Sequence, residues 1–273
     1  MSPRVALVDP ILGPLTDDLL TPDVRVWQRA RGHRFSSDDV ATAFVAARAR
    51  PDAARAVDLG TGLGSVLLML AWKLRGTSFV AVEAQDPSFA LLERNVARSG
   101  FADRIATLHG DFRALAGELE ARGPFDLVTG TPPYFPAESC VAADDRQREY
   151  ARVEHRGGVE AYVDVGARCM ATDGTLVICG DARSGDRVAR AAAVRALAVA
   201  ETTEVIPKEG KAALFSVWVL RRGAAASAKR SLTLRGRRGE TLPDADALRA
   251  FSGFPPRSRA DRIPGDDAVP MDR

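Results

Sequence analysis

From residue 55 onward the chain alternates short apolar runs with helical patterns, and this alternation limits the possible folds more than any other feature. "RAVDL" (55–59), "SFVAVE" (78–83), "RIATLHG" (104–110), "FDLVTG" (125–130) and "TLVICG" (175–180) read as buried strands. Helical patterns over 65–75, 88–99, 112–122 and 159–170 separate them, and another follows over 187–198. Parallel strands need long crossovers and helices on both faces, so the class is α/β with a Rossmann-like, mostly parallel sheet. Two more β-rich runs, 201–206 and 213–220, joined by the Lys208–Lys211 turn, predict an antiparallel edge hairpin and seven strands in all. Ligands of such sheets bind beyond the carboxyl ends of the strands. The loops after Leu59, Val82, Leu108 and Val128 should therefore surround one cleft.

The organisation expected is an N-terminal segment over 1–50, a core over 51–222, a basic extension over 223–254 and a disordered tail over 255–273. Helices are expected near 15–20 and 38–48, and a short strand and helix within 231–254. The tail is rich in Pro, Arg and Asp, a composition that buries little. No internal repeat is present.

Composition narrows the function classes. The chain has 273 residues, 46% hydrophobic and 27% charged, as a soluble globular protein does. No apolar run approaches the roughly 20 residues needed to cross a bilayer, and the N-terminus does not read as a secretory signal. The cysteines, Cys140, Cys169 and Cys179, lack metal-ligand spacing, and reduced thiols in a cytoplasmic protein are expected. Three scattered histidines offer no metal site. Net charge is +2, but residues 221–238 carry seven Lys/Arg and no acid. Such a run is a solvated linker or a contact for nucleic acid. Oligomeric state is open.

"VDLGTGLGS" follows the first core strand and opens the first core helix. Gly60, Gly62 and Gly64, with Thr61 between the first two, permit a tight turn and close approach of backbone to ligand. Asp58, two residues before the first glycine, would repel a pyrophosphate and attract an ammonium. S-adenosylmethionine has that ammonium and no phosphate. Glu83 ends the second strand, where a carboxylate accepts ribose hydroxyls. Asp111 follows the third and is either a helix N-cap or an acceptor for an adenine amine, with Phe112 packing on the ring.

The fourth strand runs into "DLVTGTPPYF" (126–135). Prolines cannot serve a sheet ladder, so the strand ends near Thr131, and a rigid turn presents Tyr134 and Phe135. That turn is either an aromatic plug over the core or a clamp for a flat, amine-bearing substrate.

"VDLGTGLG", "AVEAQ", "GDF" and "TPPYF", in this order, resemble the class I S-adenosylmethionine-dependent methyltransferases. "WQRARGHRFSSDD" (27–39) and "REYARVE" (148–154) look like the "Q…GYRFS.D" and "AR.E" segments of the bacterial tRNA1(Val) (adenine-37-N6)-methyltransferase family. The likeness covers residues 26–220 and, more weakly, 232–254. It implies that Arg34, Phe35, Ser36 and Asp38 form a lid over cofactor and substrate; read alone, Phe35 is equally a core residue and Asp38 a helix cap. It also implies a clamp. In related enzymes the motif is Asn-Pro-Pro-Tyr: the Asn carbonyl and a proline carbonyl accept the amine hydrogens, and the aromatic stacks on the base. Here Pro132 would offer its carbonyl, Pro133 would hold the turn, and Tyr134 would stack with Phe135 beside it. Thr131 stands where the motif has Asn, a shorter acceptor that can also donate. It either works on a slightly shifted base, marks a different acceptor, or weakens catalysis. The function implied is N6-methylation of an adenine in tRNA or another RNA, with Lys208, Lys211 and the basic run holding phosphates. A protein glutamine amide, a small molecule, or cofactor binding without catalysis are the alternatives.

Overall fold

The computed structural model describes residues 4–135, 145–224 and 227–256. Cys140 and all but the first two residues of the expected tail lie outside the described residues.

Among the described residues the strands form two sheets. A small antiparallel sheet holds β1 (Leu7–Asp9), β2 (Gly13–Thr21) and β3 (Val24–Arg29). The large sheet holds β4 (Arg55–Leu59), β5 (Ser78–Glu83), β6 (Ile105–His109), β7 (Phe125–Gly130), β8 (Met170–Asp181), β9 (Ala198–Ile206), β10 (Phe215–Arg221) and β11 (Ala228–Thr233). Its order is β11-β9-β10-β8-β7-β4-β5-β6. Strands β4 to β8 pair in parallel, and β10 runs antiparallel to both β8 and β9. The order reverses at β4, flanked by β5 and β7, and a cleft opens at that switch point.

The expected hairpin is present, but β11 lies beyond it, parallel to β9, and makes eight strands among the described residues. The front of the basic run is therefore not a solvated linker. Arg221 donates to the Ala49 carbonyl (2.6 Å) and Arg222 to the Ala167 carbonyl (2.8 Å), at the carboxyl ends of two helices. Cations are favoured there by the helix dipole. Arg230 pairs with Glu201 on β9 at 2.8 Å.

Helices cover both faces. On one lie α1 (Ser37–Ala49), α2 (Ser65–Lys73) and α3 (Asp86–Arg98), joined by the small sheet and by α8 (Pro243–Phe251) in one apolar core. On the other lie α4 (Ala116–Arg122), α6 (Val159–Cys169) and α7 (Gly185–Val194). The short α5 (Arg146–Arg152) lies between the clamp turn and α6 in the chain.

The expected helix near 15–20 is strand β2. Its partner β3 alternates buried and more open residues, and Thr21 Oγ1 accepts from the Val24 N–H (3.1 Å) across the Pro22-Asp23 turn. A helix of about six residues has too few internal hydrogen bonds to stand alone, whereas a hairpin against the core buries Leu15 and Leu20. The helix expected from Phe112 begins only at Ala116, because Asp111 ties residues 112–115 into turns.

Candidate active site

Two cavities adjoin at the carboxyl end of the large sheet. The first, about 810 Å³ with its open mouth included, is lined by Gly60, Thr61, Gly62, Glu83, Asp111, Phe112, Pro133 and Tyr162, among others. The second, about 1400 Å³ with its open mouth included, is lined by Arg34, Ser36, Asp38, Pro132, Tyr134 and Phe135, among others. His33, Phe35, Asp39, Thr131 and Ala151 line both.

The glycine loop shapes the first cavity. Gly60 is left-handed (φ 61°), and a Cβ there would collide with the Tyr162 hydroxyl on α6. Gly64 is also left-handed (φ 93°) and starts α2. The loop's amides are engaged within the protein. Thr61 N–H donates to the Val82 carbonyl (2.9 Å), Gly64 N–H to the Thr61 carbonyl (3.0 Å) and Gly62 N–H to Glu83 Oε2 (2.8 Å). These donors are thus not aimed at a phosphate, the usual ligand of such loops.

Asp58 does not line either cavity. It is buried behind the loop, where it accepts from Thr61 Oγ1 (2.6 Å) and Thr129 Oγ1 (2.7 Å), with help from the Leu67 N–H at the start of α2. Burial raises its pKa. Glu83 does line the first cavity; it accepts from Gly62 and Gln85 amides and its pKa too is raised by burial. Asp111 is held by the Arg113 guanidinium, at 2.6 Å and 3.0 Å, which lowers its pKa. Phe112 is buried against the Tyr162 ring, with centroids 4.6 Å apart.

The clamp residues follow β7. Thr131 stands at the junction of the cavities, and its hydroxyl has no hydrogen-bond partner among the described residues. Tyr134 packs against the core; its hydroxyl donates to Asp38 Oδ2 (3.0 Å) and meets Cys179 Sγ at 2.8 Å. Burial, then the neighbouring Cys179 and the Asp38 carboxylate, keep that phenol protonated. Phe135 is 41% exposed, and its backbone is tied to the end of α5 by bonds with Arg152 and Glu154 (each 2.9 Å).

Of the lid residues, Phe35 faces both cavities, whereas Arg34 and Ser36, expected on the cofactor, line only the second. The reason is local. Arg34 is drawn onto β2 by Asp18 (3.0 Å) and Thr16 (2.7 Å), and Ser36 caps α1 in a capping box with Asp39. Lys208 and Lys211 line neither cavity, although their turn sits at the same end of the sheet, where Leu214 and Phe215 reach the second cavity.

Sequence reasoning missed His33, Asp39, Tyr162 and the arginines of α5. His33 and Asp39 lie inside the quoted "GHRFSSDD" stretch, so proximity to Arg34 and Asp38 was a usable signal. Tyr162 had none, because only the fold brings α6 under Gly60. Asp39 is buried with both oxygens engaged, by the Ser36 N–H (2.8 Å) and by Ser65 Oγ (2.9 Å). Desolvation, then the Asp38 charge, push its carboxyl up to about 7. A folded value above the unfolded one, near 3.8, stabilises the protonated protein. This contribution is full below the unfolded value and is lost as pH rises through about 7. Asp39→Asn is therefore expected to flatten the fall in Tm between about pH 4 and 7, measured by thermal melts across pH.

The architecture is the class I methyltransferase fold. A predicted O-methyltransferase of Agrobacterium tumefaciens superposes with a TM-score of 0.59 at 20% identity, covering 80% of this chain and 97% of that one. In sequence the chain is similar to a tRNA1(Val) (adenine(37)-N6)-methyltransferase of Bacteroides thetaiotaomicron, 33% identical over 157 residues. That match covers 57% of this chain and 64% of that protein, so just under two thirds of the relative is spanned. A release factor glutamine methyltransferase of Chlorobaculum tepidum is 28% identical over 99 residues, 36% of this chain and 34% of that protein. No family model matches the chain.

Proposed function

We propose that the protein is an S-adenosylmethionine-dependent N-methyltransferase whose acceptor is the N6 amine of an adenine in RNA, with tRNA as the leading substrate. The observation that carries this reading is the pair of cavities meeting at Thr131: one suits a donor, the other a flat acceptor, and methyl transfer needs the two side by side.

The first cavity fits the cofactor by the chemistry of its lining. The glycine-loop amides at Thr61, Gly62 and Gly64 are engaged, three acids surround the turn, and a Cβ at Gly62 would meet open space. A ligand bearing hydroxyls, an amine and a positive charge suits such a site better than a dinucleotide. Glu83 would accept the ribose hydroxyls, and Asp111 beside Phe112 would take the adenine. Asp58 would act from behind, setting the loop and lending its charge to the ammonium. When bound, the cofactor supplies a methyl group activated on a sulfonium.

Everything else falls to the chain. An aromatic amine is a poor nucleophile because its lone pair is delocalised into the ring. The Pro132 carbonyl and Thr131 hydroxyl would accept its hydrogens, and Tyr134 and Phe135 would fix the ring plane. Orientation and electrostatics then do the work, with no strong base required. A base within structured RNA must first be splayed out, and the second cavity is large enough to receive one.

The test is transfer of radiolabelled methyl from the cofactor into total RNA and, separately, total protein from cells lacking the gene. Label in small RNA, recovered as N6-methyladenosine after digestion to nucleosides, is the expected result. Label only in protein would move the acceptor to a glutamine amide, and no label in either pool would overturn the RNA reading.

A further inference from the structure

The second cavity carries charge that the described protein does not neutralise. Of its acids, Asp181 is paired with Arg183 at 2.7 Å and Asp39 accepts from Ser36 and Ser65, while Asp38 accepts from the neutral hydroxyls of Tyr134 and Ser36. Of its cations, Arg34 is paired with Asp18 at 3.0 Å. Arg148 and Arg152 remain. Among the described residues neither guanidinium has an ion pair or a hydrogen bond, yet both line the cavity and both are exposed.

Their placement is specific. Four residues apart on α5, they share one helix face. Burial lowers the pKa of His33, and Asp38 opposes that shift, while the charges of Arg152 and Arg148 add to it, in keeping with the place of His33 and both arginines on the lining of the second cavity. Phe135 is bonded through its backbone to the end of the same helix, so an exposed ring and two free guanidiniums border one opening. A ring to stack on and paired guanidiniums are what a nucleotide needs, the base on one and the phosphate on the other. A neutral peptide amide would gain nothing from the second.

We infer that Arg148 and Arg152 grip the backbone phosphate beside the base that enters the second cavity, making a polynucleotide, and not a peptide, the class of acceptor. The assignment rests on the methyltransferase reading and narrows it. The α5 pair supplies the phosphate contact at the catalytic mouth, where Lys208, Lys211 and the basic extension do not reach.

The test is a salt series of affinity for an unmodified tRNA transcript, comparing wild type with the double variant Arg148→Gln/Arg152→Gln. Each phosphate contact contributes a slope of about −0.7 to −0.9 to log affinity against log salt. The double variant should lose about one to two units of slope and on the order of tenfold in affinity at low salt. Cofactor affinity by calorimetry should be unchanged, which separates the effect from misfolding. The Lys/Lys variant, keeping both charges, should recover most of the slope. An unchanged slope in the Gln/Gln variant overturns the assignment while leaving RNA methylation standing. Wild-type protein that neither binds nor methylates the transcript overturns the function and this assignment together.

Discussion

Asp58→Ala is expected to abolish cofactor binding although Asp58 touches neither cavity. The carboxylate accepts from Thr61 Oγ1 at 2.6 Å and from Thr129 Oγ1 at 2.7 Å, with the Leu67 amide turned toward it. Alanine leaves these buried donors without an acceptor, at about 1–3 kcal/mol each. The loop then loses the tie through Thr61 Oγ1 that helps hold Gly60 and Gly62 in their left-handed turns. Calorimetry should detect no binding where wild type binds, and the melting temperature should fall by several degrees, since about 1 kcal/mol moves Tm by roughly 2–4 °C in a domain of this size. Asp58→Asn retains one acceptor oxygen and should fall between. Cofactor affinity within about threefold of wild type in Asp58→Ala would show that the loop holds itself.

Tyr134→Ala should have the opposite pattern, sparing cofactor binding and removing turnover. Tyr134 lines only the second cavity, and its ring is fixed by Asp38 at 3.0 Å and by packing against the core. Stacking of a base on an aromatic is worth about 1–3 kcal/mol, so turnover should fall on the order of 10- to 100-fold. Tyr134→Phe keeps the ring and loses only the hydroxyl anchor, and should retain most activity. Normal methylation by Tyr134→Ala would leave stacking to Phe135 and reduce Tyr134 to a core residue.

The parts of the fold written in local pattern were legible. β4, β5 and β7 have the limits that their apolar runs suggest, because a strand buried on both faces shows as a continuous hydrophobic block. Residues 15–20 misled because a half-buried hairpin strand with paired acids looks helical over so short a window. β11 was partly hidden by its charges: Lys229 and Arg230 sit on an outer strand where polar residues are tolerated. At the candidate site, the glycine loop and the clamp announced themselves through spacing. The tie between them did not. Thr129 joins β7 to Asp58 across 71 positions of sequence, and no periodicity carries that distance. Tyr162 under Gly60 was hidden for the same reason; Arg148 and Arg152 stood in the "REYARVE" segment, but the cavity that the fold sets beside them did not show there.

β11 also governs how the protein behaves in company. Without it, β9 would present an open row of amides and carbonyls, a template on which a second chain can crystallise a sheet. With it, the outermost strand begins Ala-Lys-Arg-Ser, all four exposed. Lysine and arginine on a border strand repel a like strand and resist its docking. The segment that looked like an appendage is thus a guard against clumping, and a shortened version ending at residue 222 should be lost to inclusion bodies before its chemistry can be asked about.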